Sequence, residues 1–258
     1  MAYAALNLDG RTAVVLGGTS GIGRSMALGL AEAGADVIAT GRRQGLVEEV
    51  AAEISARGRR TLGLACDVGD RASLRILRDR AVEAFGQVDI LINCAGRTKR
   101  GPTLTVDEAD WNDIIETNLT GTLRGCQIFG EHMLQRGYGR IINIASLTSF
   151  VALHEVAAYA ASKAAVASLT KSLAVEWGRH GVNVNAIAPG VFRTALNAEL
   201  LDGTARGREL LMRTPLARFG RVDELQGAAV FLASEAASYI NGEIIAVDGG
   251  FLASGVNQ

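Results

Sequence analysis

A short apolar run, Thr12-Ala13-Val14-Val15-Leu16, stops at Gly17-Gly18-Thr19-Ser20-Gly21-Ile22-Gly23, and an amphipathic run to about Ala33 follows. A short, mostly apolar run closed by glycines reads as a buried strand, and the next stretch reads as a helix. In a strand–turn–helix unit, glycines let the backbone approach a ligand closely. The helix N-terminus adds N–H groups and the positive end of its dipole, which suits a pyrophosphate. The spacing here is Gly17-x-x-x-Gly21-x-Gly23 rather than the commoner Gly-x-Gly-x-x-Gly.

The pattern then repeats. Asp36–Thr40, Thr61–Cys66, Val88–Ile92, Ile141–Ala145, Gly181–Ala188 and Glu243–Val247 read as further strands. Helical stretches separate them, over about Leu46–Ala56, up to Phe85, from Asp107 with a break near Gly121 and Gly125, over Glu155–Trp177, and over Val222–Ala233. This alternation predicts an α/β fold with a parallel, doubly wound sheet of seven strands and helices on both faces. Ligands of such sheets gather at the carboxyl ends of the strands. Residues from about 195 to 218 are polar and helical without a partner strand, so they read as a flap over a substrate, with Gly203 and Gly207 as hinges. With no repeat and no linker, residues 1–258 are expected to form one domain.

Composition narrows the partners. The chain has 258 residues, 48% of them hydrophobic, and a formal net charge of −1, so a sizeable core is expected and neither nucleic acid nor membrane is. Its three cysteines, Cys66, Cys94 and Cys126, lack metal-ligand spacing and sit in or beside apolar segments, which fits a reducing cytoplasm. The N-terminus shows no signal-peptide pattern, and three scattered histidines argue against a metal site.

Candidate site residues fall at the expected strand ends. Arg42, after Gly41 at the tip of the second strand, suits the 2′-phosphate of NADP better than the ribose hydroxyl of NAD, while Arg42 and Arg43 can also simply solvate a helix start. The Asp67 carboxylate can accept from an adenine amino group or cap the following helix. Asn93-Cys94-Ala95-Gly96 is small enough to pass close to a cofactor. Arg97, Lys99 and Arg100 form a cationic loop able to hold an anionic substrate, Arg100 foremost, and Thr148 and His154 follow the fifth strand as substrate contacts. Asn118 is an amide in an apolar helical stretch and needs partners. Tyr159 and Lys163 lie four apart on one helix face, and Ser146 precedes them. A cation beside the phenol favours the phenolate, so Lys163 is expected to lower the Tyr159 pKa and make it an acid/base for an alcohol or carbonyl oxygen that Ser146 holds.

Taken together, Gly17-x-x-x-Gly21-x-Gly23, Asn93-Cys94-Ala95-Gly96, Asn118, Ser146, Tyr159-x-x-x-Lys163 and Pro189-Gly190 resemble the short-chain dehydrogenase/reductase family along nearly the whole chain. The resemblance implies a single Rossmann-like domain, a seven-stranded parallel sheet, a homotetramer and hydride transfer between NAD(P) and an alcohol or ketone. It implies Tyr159 as acid/base, Ser146 as positioner, Lys163 as ribose anchor and tuner of Tyr159, and Asn118 as anchor of a relay water. Thr194 matches the residue that holds the nicotinamide carboxamide. The other cofactor residues it implies are Gly17, Thr19, Ser20, Gly21, Ile22, Gly23, Arg42, Asp67, Val68, Asn93, Ala95, Gly96, Pro189, Gly190 and Val191. Leu16 and Cys94 depart from the family's usual threonine and second asparagine. Phe192–Asn197, Arg213-Thr214-Pro215, Arg218-Phe219-Gly220 and Gly249–Gly255 are similar to sugar-acid dehydrogenases of the gluconate 5-dehydrogenase type. Two alternatives stand beside that reading, a 3-oxoacyl-carrier-protein reductase and a non-catalytic NADP-binding sensor.

Overall fold

The computed structural model describes residues 3–194 and 197–257. β1 (Thr12–Leu16) and β2 (Asp36–Thr40) are joined by α1 (Gly21–Glu32). α2 (Gln44–Ala56) and α3 (Arg71–Phe85) lead to β3 (Ile90–Asn93). α4 (Glu108–Ile115) and α5 (Gly121–Arg136) lead to β4 (Gly139–Ile144), and α6 (Ala157–Trp177) leads to β5 (Val182–Pro189). α7 (Ala198–Leu201), α8 (Ala205–Met212) and α9 (Gln226–Ala233) precede β6 (Ile244–Val247). Neighbouring strands are parallel throughout, in the order β2-β1-β3-β4-β5-β6.

The central strands are apolar on both faces because both faces are covered. Ala13 and Val15 pack toward Met26 and Leu30 of α1 and Leu232 of α9. Val14 and Leu16 point the other way, toward Leu74 and Leu77 of α3 and Phe129 and Met133 of α5. Successive side chains of a strand alternate between faces, so one five-residue run serves both layers.

Among the described residues the sheet has six strands, not the seven expected. The missing one is Thr61–Cys66. It runs beside β2 but touches its backbone only at the two ends, through the Val37 N–H to the Arg60 carbonyl (3.1 Å) and the Cys66 N–H to the Gly41 carbonyl (3.0 Å). Between these, side chains do the bonding: the Thr40 hydroxyl donates to the Leu64 carbonyl at 2.6 Å, and the Gln44 amide takes the Ala65 N–H at 3.2 Å. Side-chain partners have replaced the ladder, so this edge is extended chain without strand pairing.

Other expectations shift by a few residues. The break after α4 is a single wide turn over Glu116–Thr120, in which the Gly121 N–H bonds the Glu116 carbonyl five residues back. Such turns recur at functional positions because they free backbone groups. The expected flap carries α7 and α8; its Ala195 and Leu196 lie outside the described residues. A bridge between Phe192 and Gly220 closes its base. Among the described residues, no helix is long and apolar enough to cross a membrane.

Candidate active site

The glycine turn is shaped by contacts that exclude side chains. Gly17 has φ +79°, and a Cβ there would lie 2.5 Å from the Ala95 backbone nitrogen. A Cβ on Gly23 would lie 2.1 Å from the Gly17 carbonyl oxygen. The turn is therefore folded against the Asn93–Gly96 segment and onto α1. The first intrahelical bond of α1 runs from the Arg24 N–H to the Ser20 carbonyl (3.2 Å). The N–H groups of Gly21, Ile22 and Gly23 thus have no partner within the helix, and no acidic side chain sits in the first turn. This cradle fits the pyrophosphate of a dinucleotide.

Thr19 lies against the end of β2, since a Cβ on Gly41 would meet its Oγ1 at 2.9 Å. The next residues, Arg42 and Arg43, are exposed and have no carboxylate partner among the described residues. Asp67 is exposed and its Oδ1 accepts from the Gly69 N–H at 2.9 Å; the cap of α3 is Asp70 instead. Val68 is buried against Gly121. On the opposite side, Gly190 follows Pro189 against Asp248, and the Thr194 methyl would lie 3.7 Å from a Cβ on Gly21. The Asn93 side chain faces away from the turn: it is buried and donates to Asn143 Oδ1 (2.8 Å) and toward Cys126 Sγ (3.3 Å). Asn93 therefore offers a cofactor only its backbone.

α6 brings Tyr159 and Lys163 to one space, with Lys163 Nζ 5.7 Å from the centre of the phenol ring. Lys163 is 5% exposed and donates to the Ile144 carbonyl at 2.6 Å, at the carboxyl end of β4. Ser146, two residues beyond, lies close enough to the Tyr159 phenol to affect its titration, and its hydroxyl accepts from the Thr148 N–H at 3.2 Å. Asn118, in the wide turn, is fully buried. Its Oδ1 accepts from the Arg97 N–H (2.8 Å), and its Nδ2 donates to the Arg97 carbonyl and to Ser162 Oγ (3.0 Å each). Ser162 in turn donates to the Tyr159 carbonyl at 2.7 Å. Gly96 fits between, since a Cβ there would meet Asn118 Oδ1 at 3.4 Å and Lys163 Nζ at 3.8 Å.

The titration pattern differs from the expectation. Burial pushes the Tyr159 phenol above its ordinary value, and the Ser146 hydrogen bond offsets only part of that. Burial also pulls the Lys163 ammonium down to about 8. The dry setting that strengthens a cation–phenolate attraction penalises both charged forms as well. Near neutrality the site therefore holds a neutral phenol, ready to donate, beside a lysine that can change charge.

Around the mouth, the cationic loop is compensated. Arg97 pairs with Asp113 (2.8 Å), Lys99 with Asp110, and Arg100 with Glu155 (2.7 Å). His154 is exposed and lies beside Glu155, while its carbonyl accepts from Arg206 of α8 at 3.1 Å. Thr148 is buried, and its hydroxyl has no partner among the described residues. The sequence reading assigned no role to a cavity of about 560 Å³ between the Ser146 loop and the C-terminal tail. Val151, Met212, Phe251 and Val256 line it together with Arg213, which has no carboxylate partner among the described residues. The likeness of Arg213 and Gly249–Gly255 to sugar-acid dehydrogenases was the only sequence signal for this wall, because its parts lie far apart along the chain.

Comparison with known proteins places this geometry. A family model described as Enoyl-(Acyl carrier protein) reductase matches residues 17–252. The chain is 42% identical over 250 residues to the 2-dehydro-3-deoxy-D-gluconate 5-dehydrogenase of Dickeya dadantii (strain 3937), covering 96% of this chain and 97% of that one. It is 42% identical over 244 residues to the D-threitol dehydrogenase of Mycolicibacterium smegmatis (strain ATCC 700084 / mc(2)155), covering 95% and 94%. The fold matches the crystal structure of a gluconate 5-dehydrogenase from Burkholderia cenocepacia J2315 in complex with NADP and tartrate, with a TM-score of 0.93, 40% identity and coverage of 97% and 98%. With a glycine cradle, a Ser–Tyr–Lys–Asn cluster and these relatives over nearly its whole length, the chain belongs to the short-chain dehydrogenase/reductase family and is an NAD(P)-dependent oxidoreductase acting on CH–OH groups.

Proposed function

We propose that the protein is an NADP-dependent dehydrogenase of a secondary alcohol on a sugar acid, of the gluconate 5-dehydrogenase type. The observation that carries the chemistry is the meeting of Ser146, Tyr159, Lys163 and Asn118 beside the glycine cradle. The sugar-acid substrate is supported by the relatives named 2-dehydro-3-deoxy-D-gluconate 5-dehydrogenase and gluconate 5-dehydrogenase. The choice of NADP is supported by the exposed Arg42 at the end of β2, which has no carboxylate partner among the described residues, and by the NADP in the Burkholderia enzyme.

When NADP(H) is bound, its nicotinamide would supply or take the hydride. In the reductive direction, Ser146 holds the carbonyl oxygen and Tyr159 gives it a proton as the carbonyl carbon is reduced. Lys163 holds the ribose and returns a proton toward Tyr159. Asn118, fixed by Arg97 and Ser162, orients the path by which that proton is replaced. The Gly21, Ile22 and Gly23 N–H groups hold the pyrophosphate, with Gly17, Thr19 and Ser20 shaping the turn. Asp67 and Val68 would hold the adenine, and Ala95 and Gly96 would let the chain pass close to the cofactor. Pro189, Gly190, Val191 and Thr194 would hold the nicotinamide end. Arg100 meets the substrate carboxylate, with Thr148 and His154 on its polyol chain.

We read residues 1–258 as one domain working in the cytoplasm as a homotetramer. Val175 of α6 is 83% exposed and Trp111 of α4 is also exposed, as faces covered by other subunits would be. The decisive experiment assays gluconate and 5-ketogluconate, each with NADP(H) and NAD(H), beside an acetoacetyl thioester. Turnover of the sugar acid with NADP is expected; turnover of the thioester alone would establish the carrier-protein reductase reading. Cofactor binding with no turnover of any alcohol or ketone would establish the sensor reading.

A further inference from the structure

Resting on the sugar-acid reading above, we propose that Glu155 tunes the charge preference of the substrate mouth, holding Arg100 in place of a substrate carboxylate and so weakening the binding of sugar acids without excluding them. The pair is an Arg100 Nη2 to Glu155 Oε2 contact of 2.7 Å, with side chains 44% and 23% exposed. At that exposure an ion pair contributes little to stability, about 0–1 kcal/mol. An incoming carboxylate can therefore replace it at small expense.

The setting of Glu155 argues that its aim is built in. Its backbone has φ +63°, a left-handed conformation that favours glycine. It is held there by the Gly101 N–H, which donates to the Glu155 carbonyl at 2.9 Å. That bond joins the two loops that form the lip, one running on from Gly96 and the other leading into α6. With the backbone fixed, the side chain is delivered to Arg100. His154 Nδ1 lies 3.6 Å from the same carboxylate oxygen, and the His154 carbonyl is tied to Arg206 of the flap. The other two loop cations have acids of their own, Asp113 and Asp110, so the cation that Glu155 releases is Arg100 alone. The lip thus carries a guanidinium donor and a carboxylate acceptor side by side. Hydroxyls can use both groups, whereas a carboxylate must displace one of them.

Glu155→Gln keeps the shape and removes the charge. Steady-state kinetics with gluconate and with D-threitol, an uncharged polyol, read the effect. The KM for gluconate is expected to fall about fivefold, the full scale of a partly exposed pair. The KM for D-threitol and both kcat values should stay within about twofold. The gluconate gain should shrink in 0.5 M salt, because ionic screening weakens it. An unchanged preference would overturn the proposal, and so would a raised gluconate KM, which would make Glu155 a strut for Arg100. Should Glu155→Gln not fold, Glu155→Gly suits the backbone and keeps the Gly101 bond. Should the wild type oxidise no sugar acid, the reading of function fails separately. Tartrate binding to the NADP-loaded protein, measured by calorimetry, still decides: tighter binding in Glu155→Gln supports the inference and equal binding ends it.

Discussion

The molecule has two cationic mouths, and they are built in opposite ways. At the end of β2, Arg42 and Arg43 stand in solvent without carboxylate partners among the described residues. At the substrate lip, Arg97, Lys99 and Arg100 each face an acid. An unpaired arginine meets a phosphate with its whole charge, so binding gains the full attraction. A paired one only exchanges partners, and the net gain is the difference between two similar contacts. The cofactor side is therefore electrostatically primed, and the substrate side relies on shape, hydrogen bonds and the chemistry of Tyr159.

The sharpest separation of the two sides is Tyr159→Phe. It removes the proton donor and leaves the glycine cradle untouched. We expect kcat to fall by about 10³-fold, within the usual span of general acid–base catalysis, while the Kd for NADP stays within about twofold. Near-normal turnover would mean that the proton comes from elsewhere.

Next in size is Arg42→Ala. The Kd for NADP should rise on the order of tenfold to a hundredfold, as expected for a lost charge-assisted contact, and that for NAD by less than about twofold. Equal losses for both cofactors would erase the asymmetry between the mouths.

A third test uses the buried ammonium. Burial pulls the folded-state pKa of Lys163 down to about 8, below the ordinary lysine value of 10.5, so the unfolded chain binds more protons between those values. Stability should therefore rise with pH across that window, the burial penalty being complete below pH 8. The gap between 10.5 and about 8 corresponds to about 3 kcal/mol. Loss of the bond to the Ile144 carbonyl returns about 1 kcal/mol of it. Lys163→Met should therefore be inactive yet about 2 kcal/mol more stable at pH 7, with the advantage shrinking toward pH 10.5. Denaturant unfolding at pH 7 and pH 10 reads this. A variant less stable at pH 7 would show that the lysine is satisfied where it lies.

Smallest of all, Lys99→Ala should change the KM for gluconate by less than about twofold, because the exposed pair with Asp110 already satisfies that cation. A large effect there would show that the loop acts as one field rather than as three separate pairs.

The chain's local patterns were enough for much of this. The strand–turn–helix start, the alternation behind a parallel sheet and the i, i+4 placement of Tyr159 and Lys163 are periodicities and backbone rules that need no distant partner. The tertiary structure decided what depends on residues far apart. Thr61–Cys66 stays outside the ladder because Thr40 and Gln44 take its backbone groups. Asn93 turns inward because Asn143 offers it a buried acceptor. The expected acid shift of Tyr159 gives way because burial outweighs the lowering contact that Ser146 supplies. The loop cations lose their freedom to Asp110, Asp113 and Glu155, residues that a linear reading places on other elements. Spacing along the chain tells which groups can share a face. Their charge, partners and dryness are set by what the rest of the fold brings against them, since solvation and Coulomb interactions act through space.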